Sequence, residues 1–584
     1  MTTGGVEQPT GCADRGLGRS AVAIVFVVAA VSLTWSSVNA VGRVFPEWTQ
    51  SDTVWMYSLA ADLFEDRGRF DGWSLSPHPN TFPELLTVDV ARRLSQGLQG
   101  FFVAYSTVTR LALLVSTWFC LFVYLRAEGE DRRAHTRDLG ASLLGAFAMN
   151  AGWLLLLNHG LFVKPLRYWA LPAFHFGAFL MTLPAAFLAL DLVGRRASGW
   201  RTSLQLGIAL VVIAATVLSD KIAALNVIPG MLAAAAYHTA STRTPSRSVW
   251  MVAATVVAVT LIAMGSADSF WNVIAHANAY PVELTLSTFG PQMAVIAESL
   301  LDDTIRPNRH AGSVWIERVV VVATLAVAAR LGVSLLSRLF AHAHRSKRRE
   351  AAPAMQAFLL ATAIALPIAV AMLGRFTDAR ALRFIIPTFY AVPLAIITLA
   401  LPRLARRLTP RTALLSCALV AAFAVAFRID PHRAPWHDFG APPIVECLKQ
   451  QAGTHDLRYG LGHHWHSHIT TIGSSGSIVV RPISAAGRMQ PWANQLDWFS
   501  VSRTAEPFTF VIVSPDLDAE SIRERFGAPE EVLLCPAPEA NSEAALWTPQ
   551  IRTKAEIWVY PDDAAWRITR DLHRQYARWI DRLR

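Results

Sequence analysis

Apolar residues fall in blocks of about 17 to 24, separated by short polar stretches. A helix rises 1.5 Å per residue, so one block is enough to cross a bilayer. The blocks cover about 21–43, 101–125, 139–158, 172–193, 203–219, 222–239, 249–266, 317–340, 353–374, 384–402 and 412–428, which makes about eleven spans. The two blocks flanking Asp220 are short and would also suit a re-entrant hairpin. After residue 428 the pattern changes. "SGSIVVRPI" (476–483), "FTFVIVSP" (508–515) and "AEIWVYP" (555–561) read as strands. "DLDAESIRERFG" (516–527) reads as a helix with a glycine stop. The end of the chain reads as an amphipathic helix with Trp566, Ile568, Leu572, Tyr576 and Ile580 on one side. The pattern predicts an all-α polytopic membrane protein with a C-terminal α/β domain over 429–584.

Lysine and arginine orient the spans. They concentrate in "RAEGEDRRAHTR" (126–137), "GRRASGWR" (194–201), "STRTPSR" (241–247), "HRSKRR" (344–349) and "RLARRLTPR" (403–411), on one set of alternate loops. By the positive-inside rule these loops are cytoplasmic. That gives a multi-pass protein of the cytoplasmic membrane with a cytoplasmic tail over 1–20 and a transmembrane domain over 21–428. The first loop (44–100), a later loop (267–316) and the C-terminal domain then face outward. "SVNA" at 37–40 offers a signal-peptidase pattern, but the apolar run before it suits an uncleaved anchor. Cleavage would leave the remaining topology unchanged.

Composition agrees: of 584 residues, 53% are hydrophobic and 16% are charged, below the quarter usual for a soluble domain. The net charge of +10 lies in clusters between apolar blocks, where topology accounts for it. No basic face studded with aromatics points to nucleic acid. The five cysteines follow no metal or redox spacing. Cys447 and Cys535 both fall in the outward region, as a disulfide or as two buried thiols.

Candidate chemistry gathers on the outward side. "SDTVWMYSLAADLF" (51–64) reads as a helix in the membrane interface, with Trp55, Met56, Leu59, Ala60, Leu63 and Phe64 recurring at helical spacing while Asp62, Glu65 and Asp66 face elsewhere. Asp52 at its start is either a helix cap or a catalytic base. "WSLSPHPNTFPELL" (73–86) brings His78 and then Glu84 in the first turn of a helix. Lys164, Arg167 and His175 in 158–177 could hold a phosphate, or the two cations could snorkel at the interface. Asp220 and Lys221 interrupt an apolar stretch, where charge is expensive unless solvated or paired. Arg375, Asp378, Arg380 and Arg383 sit at another outward end, against the positive-inside trend, as an anionic ligand would require. "HHWHSH" (463–468), taken as a strand, would put His464, His466 and His468 on one face, but nothing completes a zinc site there. A loop-end or exposed cluster is the plainer reading.

Together these features resemble the GT-C superfamily of membrane glycosyltransferases, which includes the protein O-mannosyltransferases and the lipid A aminoarabinose transferase. The features are the cytoplasmic N-terminus, the acidic residue just past the first span, the interfacial helix and the outer soluble domain. "RFIIP" (383–387) resembles the "R-Y-x-x-P" stretch at the outer end of a late span in those enzymes. The mannosyltransferase type has adjacent Asp-Glu in the first loop, whereas Thr53 follows Asp52 here. "SPHPNTFPELL", "SDKIAALNVIP" and "GLGHHW" are similar to segments of uncharacterised bacterial polytopic membrane proteins.

The resemblance implies a polyprenyl-phosphate-linked sugar donor. The sugar would pass on the outer face to a hydroxyl or amine of an envelope lipid, glycan or protein. Asp52 would be the base and Glu84 its reserve or the acceptor's guide. Lys164, Arg167, His175, Lys221, Arg375, Arg380 and Arg383 would hold the phosphate. A divalent metal fits some members and not others. A transport or assembly role in envelope glycan biogenesis is the alternative. It would place ionisable residues at mid-span, where Asn150 is the clearest polar group. A GT-C fold without activity is a third reading.

Overall fold

The structure is a computed structural model. It describes residues 20–35, 51–66, 70–76, 79–128, 135–158, 175–194, 199–242, 246–277, 286–301, 351–374, 379–407, 441–537 and 554–583, except 21, 71 and 505, with scattered positions in 326–337 and at 415 and 418. The expected spans 317–340 and 412–428 lie almost wholly outside these residues.

The first half is helical: α1 (Val22–Trp35) and α2 (Ser51–Ala61), then, after the short strand β1 (Trp73–Leu75), α3 (Glu84–Arg93), α4 (Gly97–Glu128), α5 (His135–Asn158), α6 (Phe176–Gly194), α7 (Trp200–Ser219), α8 (Ile222–Thr242) and α9 (Arg247–Ile274). Strand β2 (His276–Ala277), α10 (Leu286–Leu301), α11 (Ala351–Met372) and α12 (Ile386–Arg407) follow. Among the described residues six helices are long and apolar enough to cross a membrane: α4, α7, α8, α9, α11, and α12 with the turn before it. The blocks around Asp220 thus form two full-length helices, α7 and α8, with 20 and 21 residues, joined by a tight turn.

Small residues set the closest helix approaches, as expected where lipid supplies no hydrophobic drive between helices. A β-carbon on Gly230 of α8 would collide with Phe358 of α11. At the same crossing Thr362 Oγ1 donates to the Asn226 carbonyl, 3.0 Å. Gln356 Nε2 donates to Tyr124 Oη (2.9 Å) and Thr398 Oγ1 (3.1 Å), tying α11 to α4 and α12. The buried Arg110 of α4 adds a charged group inside a span that the sequence reading passed over.

The C-terminal region builds a three-layer α/β unit. Its elements are α13 (Pro443–Gln451), β3 (Tyr459–His463), α14 (His464–Gly473), β4 (Val479–Ile483), β5 (Asn494–Gln495), β6 (Phe510–Val513), α15 (Ala519–Phe526), β7 (Glu531–Cys535), β8 (Ala555–Val559) and α16 (Asp562–Leu583). The five-stranded sheet runs β4-β3-β6-β8-β7, with β3 parallel to both neighbours and β8 antiparallel to both of its own. One face, with Val480, Phe510, Ile512 and Ile557, joins the same buried cluster as the membrane helices, through α13 and α14. The other face, with Leu461, Ile483, Val511 and Trp558, packs against α15 and α16. Strands β4, β6 and β8 and helices α15 and α16 fall where the pattern places them, whereas β3, β5 and β7 carry no alternation that marked them.

Two expectations change. Helix α2 is not an interfacial helix with a wet face. Val54, Trp55, Met56, Leu59, Ala60 and even Thr53 are buried, because α2 is held between α3 and α14. "HHWHSH" continues β3 into helix α14 rather than extending the strand, so His464 and His468, four residues apart, share a face. His464, His466 and His468 are all buried rather than exposed.

Candidate active site

A latched loop leads to the site. From β1 the chain turns through Asn80, whose φ of 50° is left-handed and suits asparagine. Its N–H donates to the Ser219 carbonyl, 3.2 Å. The Phe82 N–H donates to Ser219 Oγ at 2.8 Å, and Thr81 Oγ1 does so at 3.3 Å. Ser219 closes α7, so these bonds pin the loop to the end of a membrane helix. Helix α3 starts at once, and its first residue is Glu84.

Glu84 is buried, and neither carboxylate oxygen has a hydrogen-bond partner of good geometry. The group lies against the backbone of Gly177 in the first turn of α6. Burial first, and then the charge of Asp220, push its pKa up to about 8; the Gly177 and Ala178 amides pull the other way without offsetting this. At neutral pH the carboxyl is therefore mostly protonated.

His175 and Asp220 complete the cluster. His175 immediately precedes α6, and Asp220 is the break between α7 and α8. His175 Nδ1 lies 2.8 Å from Asp220 Oδ2, both side chains being buried. Asp220 Oδ1 accepts from the Ile222 N–H at 3.1 Å and so caps α8. The His175 ring packs on Phe384 at 5.0 Å between centroids, and the guanidinium of the neighbouring Arg383 lies 5.0 Å from the centre of the Phe384 ring. An acid, a histidine–carboxylate pair and the N-terminal ends of α6 and α8 thus meet at one point, with Arg383 beside the phenyl ring on which His175 packs. Helix N-termini favour negative charge. The arrangement can move a proton at Glu84 and stabilise an anion nearby.

The remaining sequence candidates divide. Lys221 is bonded to Asp268 of α9. Asp52 stands in the first turn of α2, which begins at Ser51; its side chain lies outside the described residues, as does that of Arg380. His78, Lys164, Arg167, Arg375 and Asp378 lie outside them altogether. Among the described residues no group of three histidines, cysteines or carboxylates is arranged to hold a metal ion. Cys447 and Cys535 form a disulfide between α13 and β7, with Cα atoms 5.9 Å apart.

A second polar cluster joins the first loop to the C-terminal unit. Asp62 follows α2 at the start of a π turn, and its side chain is buried. Its Oδ2 accepts from Trp73 Nε1 (2.7 Å) and Gln495 Nε2 (2.9 Å), and Oδ1 faces Arg503 Nη1 at 3.5 Å. Strand β1 bonds β2 in parallel and β5 in antiparallel, so the 44–100 and 267–316 loops and the C-terminal unit share a three-stranded sheet. Above it, His468 Nε2 bonds the Ala493 carbonyl at 3.1 Å, and Nδ1 faces Ser58 Oγ of α2 at 3.4 Å. Burial, with His463 nearby, pushes His466 down to about 4, so it stays neutral. The alternation of polar residues gave no sign of this cluster. Its one signal was Trp73, an indole that needs a partner when buried, eleven residues from Asp62.

No known protein family matches the chain, and no curated protein matches it. Among solved structures the chain is similar to the crystal structure of ArnT from Cupriavidus metallidurans in the apo state. The two share 12% identity over 95% of this chain and 99% of that one, with a TM-score of 0.35.

Proposed function

We propose that the protein is a membrane glycosyltransferase of the GT-C type, moving a sugar from a polyprenyl-phosphate donor to an envelope acceptor on the outer face of the membrane. The observation that carries this reading is the buried, unpartnered Glu84 beside the His175–Asp220 pair, at the ends of α6 and α8. A carboxyl with a pKa of about 8 is poised for proton transfer near neutral pH. In the proposed step an acceptor hydroxyl oxygen bonds to the anomeric carbon and gives its proton to ionised Glu84. The bond from that carbon to the phosphate oxygen breaks, and the electron pair leaves with the phosphate. Arg383 and the N-terminal ends of α6 and α8 support the phosphate charge, with Lys164, Arg167, Arg375 and Arg380 as further candidates. Asp220 keeps His175 oriented. Asp52 remains the rival base.

The compartment rests on two supports: the distribution of basic loops, and a Cys447–Cys535 disulfide of the kind that persists in oxidising surroundings. The test is transfer of labelled sugar in proteoliposomes supplied with polyprenyl-monophosphate sugars one at a time. Glu84→Gln should abolish transfer, and Asp52→Asn should only reduce it. Full activity in Glu84→Gln would remove this cluster from the chemistry, and loss confined to Asp52→Asn would return the base to the start of α2.

A further inference from the structure

The last helix carries a feature that sugar transfer does not use. On α16, Arg567, Arg570, Arg574, Arg578 and Arg582 are all exposed. At 3.6 residues per turn they fall within about 120° of arc, directly opposite the buried side formed by Ile568, Leu572 and Thr569. Trp566, 40% exposed, flanks this arc instead of joining the buried side. The Nε groups of Arg574, Arg578 and Arg582 each donate to the carbonyl four residues back, at 3.3, 3.3 and 3.2 Å, which leaves the terminal guanidinium nitrogens pointing outward.

The row is not balanced from within. None of the five is ion-paired to a carboxylate among the described residues. Three acids lie within the arc: Asp571 is bonded to Arg525 at 2.6 Å, and the exposed Asp563 and Asp581 sit near its two ends, outside the central run from Arg570 to Arg578. Like charges four residues apart on a helix repel, so three successive arginine pairs carry a cost that a bound anion would relieve. Every cation between 562 and 584 is arginine and none is lysine. Solubility alone does not ask for that choice, whereas the planar fork of arginine matches phosphate oxygens two at a time.

The layering decides which anion. Helix α14 lies between the sheet and the membrane helices, contacting α2 and α4, while α16 covers the opposite sheet face. The arginine row therefore faces away from the bilayer of its own membrane. We infer that this face of α16 docks a phosphodiester-bearing glycan of the cell envelope. The compartment rests on the outward topology proposed above. The surface itself does not depend on Glu84.

The test uses the full chain in an uncharged detergent with fluorescent poly(glycerol phosphate) as probe. The native chain should bind, and binding should weaken about a hundredfold between roughly 50 and 200 mM salt, as for about five phosphate contacts on a flexible strand. The triple variant Arg570→Gln, Arg574→Gln, Arg578→Gln should lose at least about tenfold in affinity and about two units of salt slope. The matching lysine triple should keep most of the slope, which separates charge loss from misfolding. Neutral dextran should not bind. Equal binding by the glutamine triple, or no binding by the native chain, would overturn the inference. Capture by phosphatidylglycerol vesicles that the polymer does not displace would do so too, in favour of a lipid surface. Activity in the transfer assay is independent of each of these outcomes.

Discussion

Glu84 and Gly177 are in backbone contact: a β-carbon built on Gly177 would overlap the Glu84 carboxylate. The absent side chain at 177 is what lets the acid enter the first turn of α6. Gly177→Ala should therefore displace Glu84 or push α6 aside. The expected cost is about 1–3 kcal/mol, as for other overpacked sites, together with loss of sugar transfer. A thermal melt and the transfer assay on one preparation check both. An alanine variant with native stability and native transfer would show that the acid does not need this position.

The raised pKa of Glu84 gives stability a definite sign with pH. Below its ordinary value of 4.5 the folded and unfolded chains both hold the proton, and Glu84 adds no pH dependence. Between about 4.5 and 8 the unfolded chain releases the proton while the folded chain keeps it, so stability falls as pH rises and levels off above about 8. The full span is about 5 kcal/mol as an upper figure. Glu84→Gln should flatten this region of the curve, matching the native chain near pH 4 and exceeding it near pH 9. Native transfer activity should rise over the same interval as the base ionises. Parallel pH profiles for the two chains would discard the buried-acid account.

The sequence marks the polar ends of this site better than its assembly. Glu84 as the first residue of a helix and Asp220 as an interruption between apolar blocks are both legible, because capping and the cost of intramembrane charge are local rules. The His175–Asp220 bond spans 45 residues and depends on how α6 packs beside α7, which no periodicity reports. The same limit explains α2. Its apolar spacing reads as one greasy face, yet its other sides are covered by α3 and α14, whose positions come from distant segments. Asp62 lies seven residues after the buried Trp55, so the helical period already brings it within about 20° of that side, and its partners Trp73 and Gln495 come from beyond the helix, where no period reports them. "HHWHSH" shows that a short histidine run carries no period of its own. Its conformation follows from β3 ending at His463 in a parallel β-α-β crossover.

The Cys447–Cys535 disulfide closes a loop of 88 residues that includes β3, α14, β4, β5 and β6. Chain entropy alone gives such a crosslink about 4.6 kcal/mol. Cys447→Ser should lower the melting temperature of the C-terminal unit under non-reducing conditions, and adding reductant should then change nothing further. If the native and variant chains melt together without reductant, the bond does not form in the mature protein, and one support for the outward placement of this unit is lost.

Asp62 holds the C-terminal unit to the first loop through a buried hydrogen bond from Gln495 and the Arg503 contact, while a second buried bond, from Trp73, ties the loop to itself. Asp62→Ala would strip the partner from Trp73 Nε1 and Gln495 Nε2 and leave Arg503 facing an empty site. Breaking one side of a buried charged network costs about 3 kcal/mol, mostly because the surviving groups stay desolvated. Asp62→Asn keeps the shape and one acceptor oxygen, so it should cost less. The expected result is that β1 loosens from β5, and that limited proteolysis cuts between α2 and α3 in Asp62→Ala under conditions where the native chain resists. The loop that β1 begins also carries Asn80 and Glu84, so transfer activity should fall with the latch even though Asp62 touches no substrate in the proposed reaction. A variant that is nicked but fully active would mean that the Ser219 anchor alone positions Glu84, and that the three-stranded sheet serves only to seat the C-terminal unit.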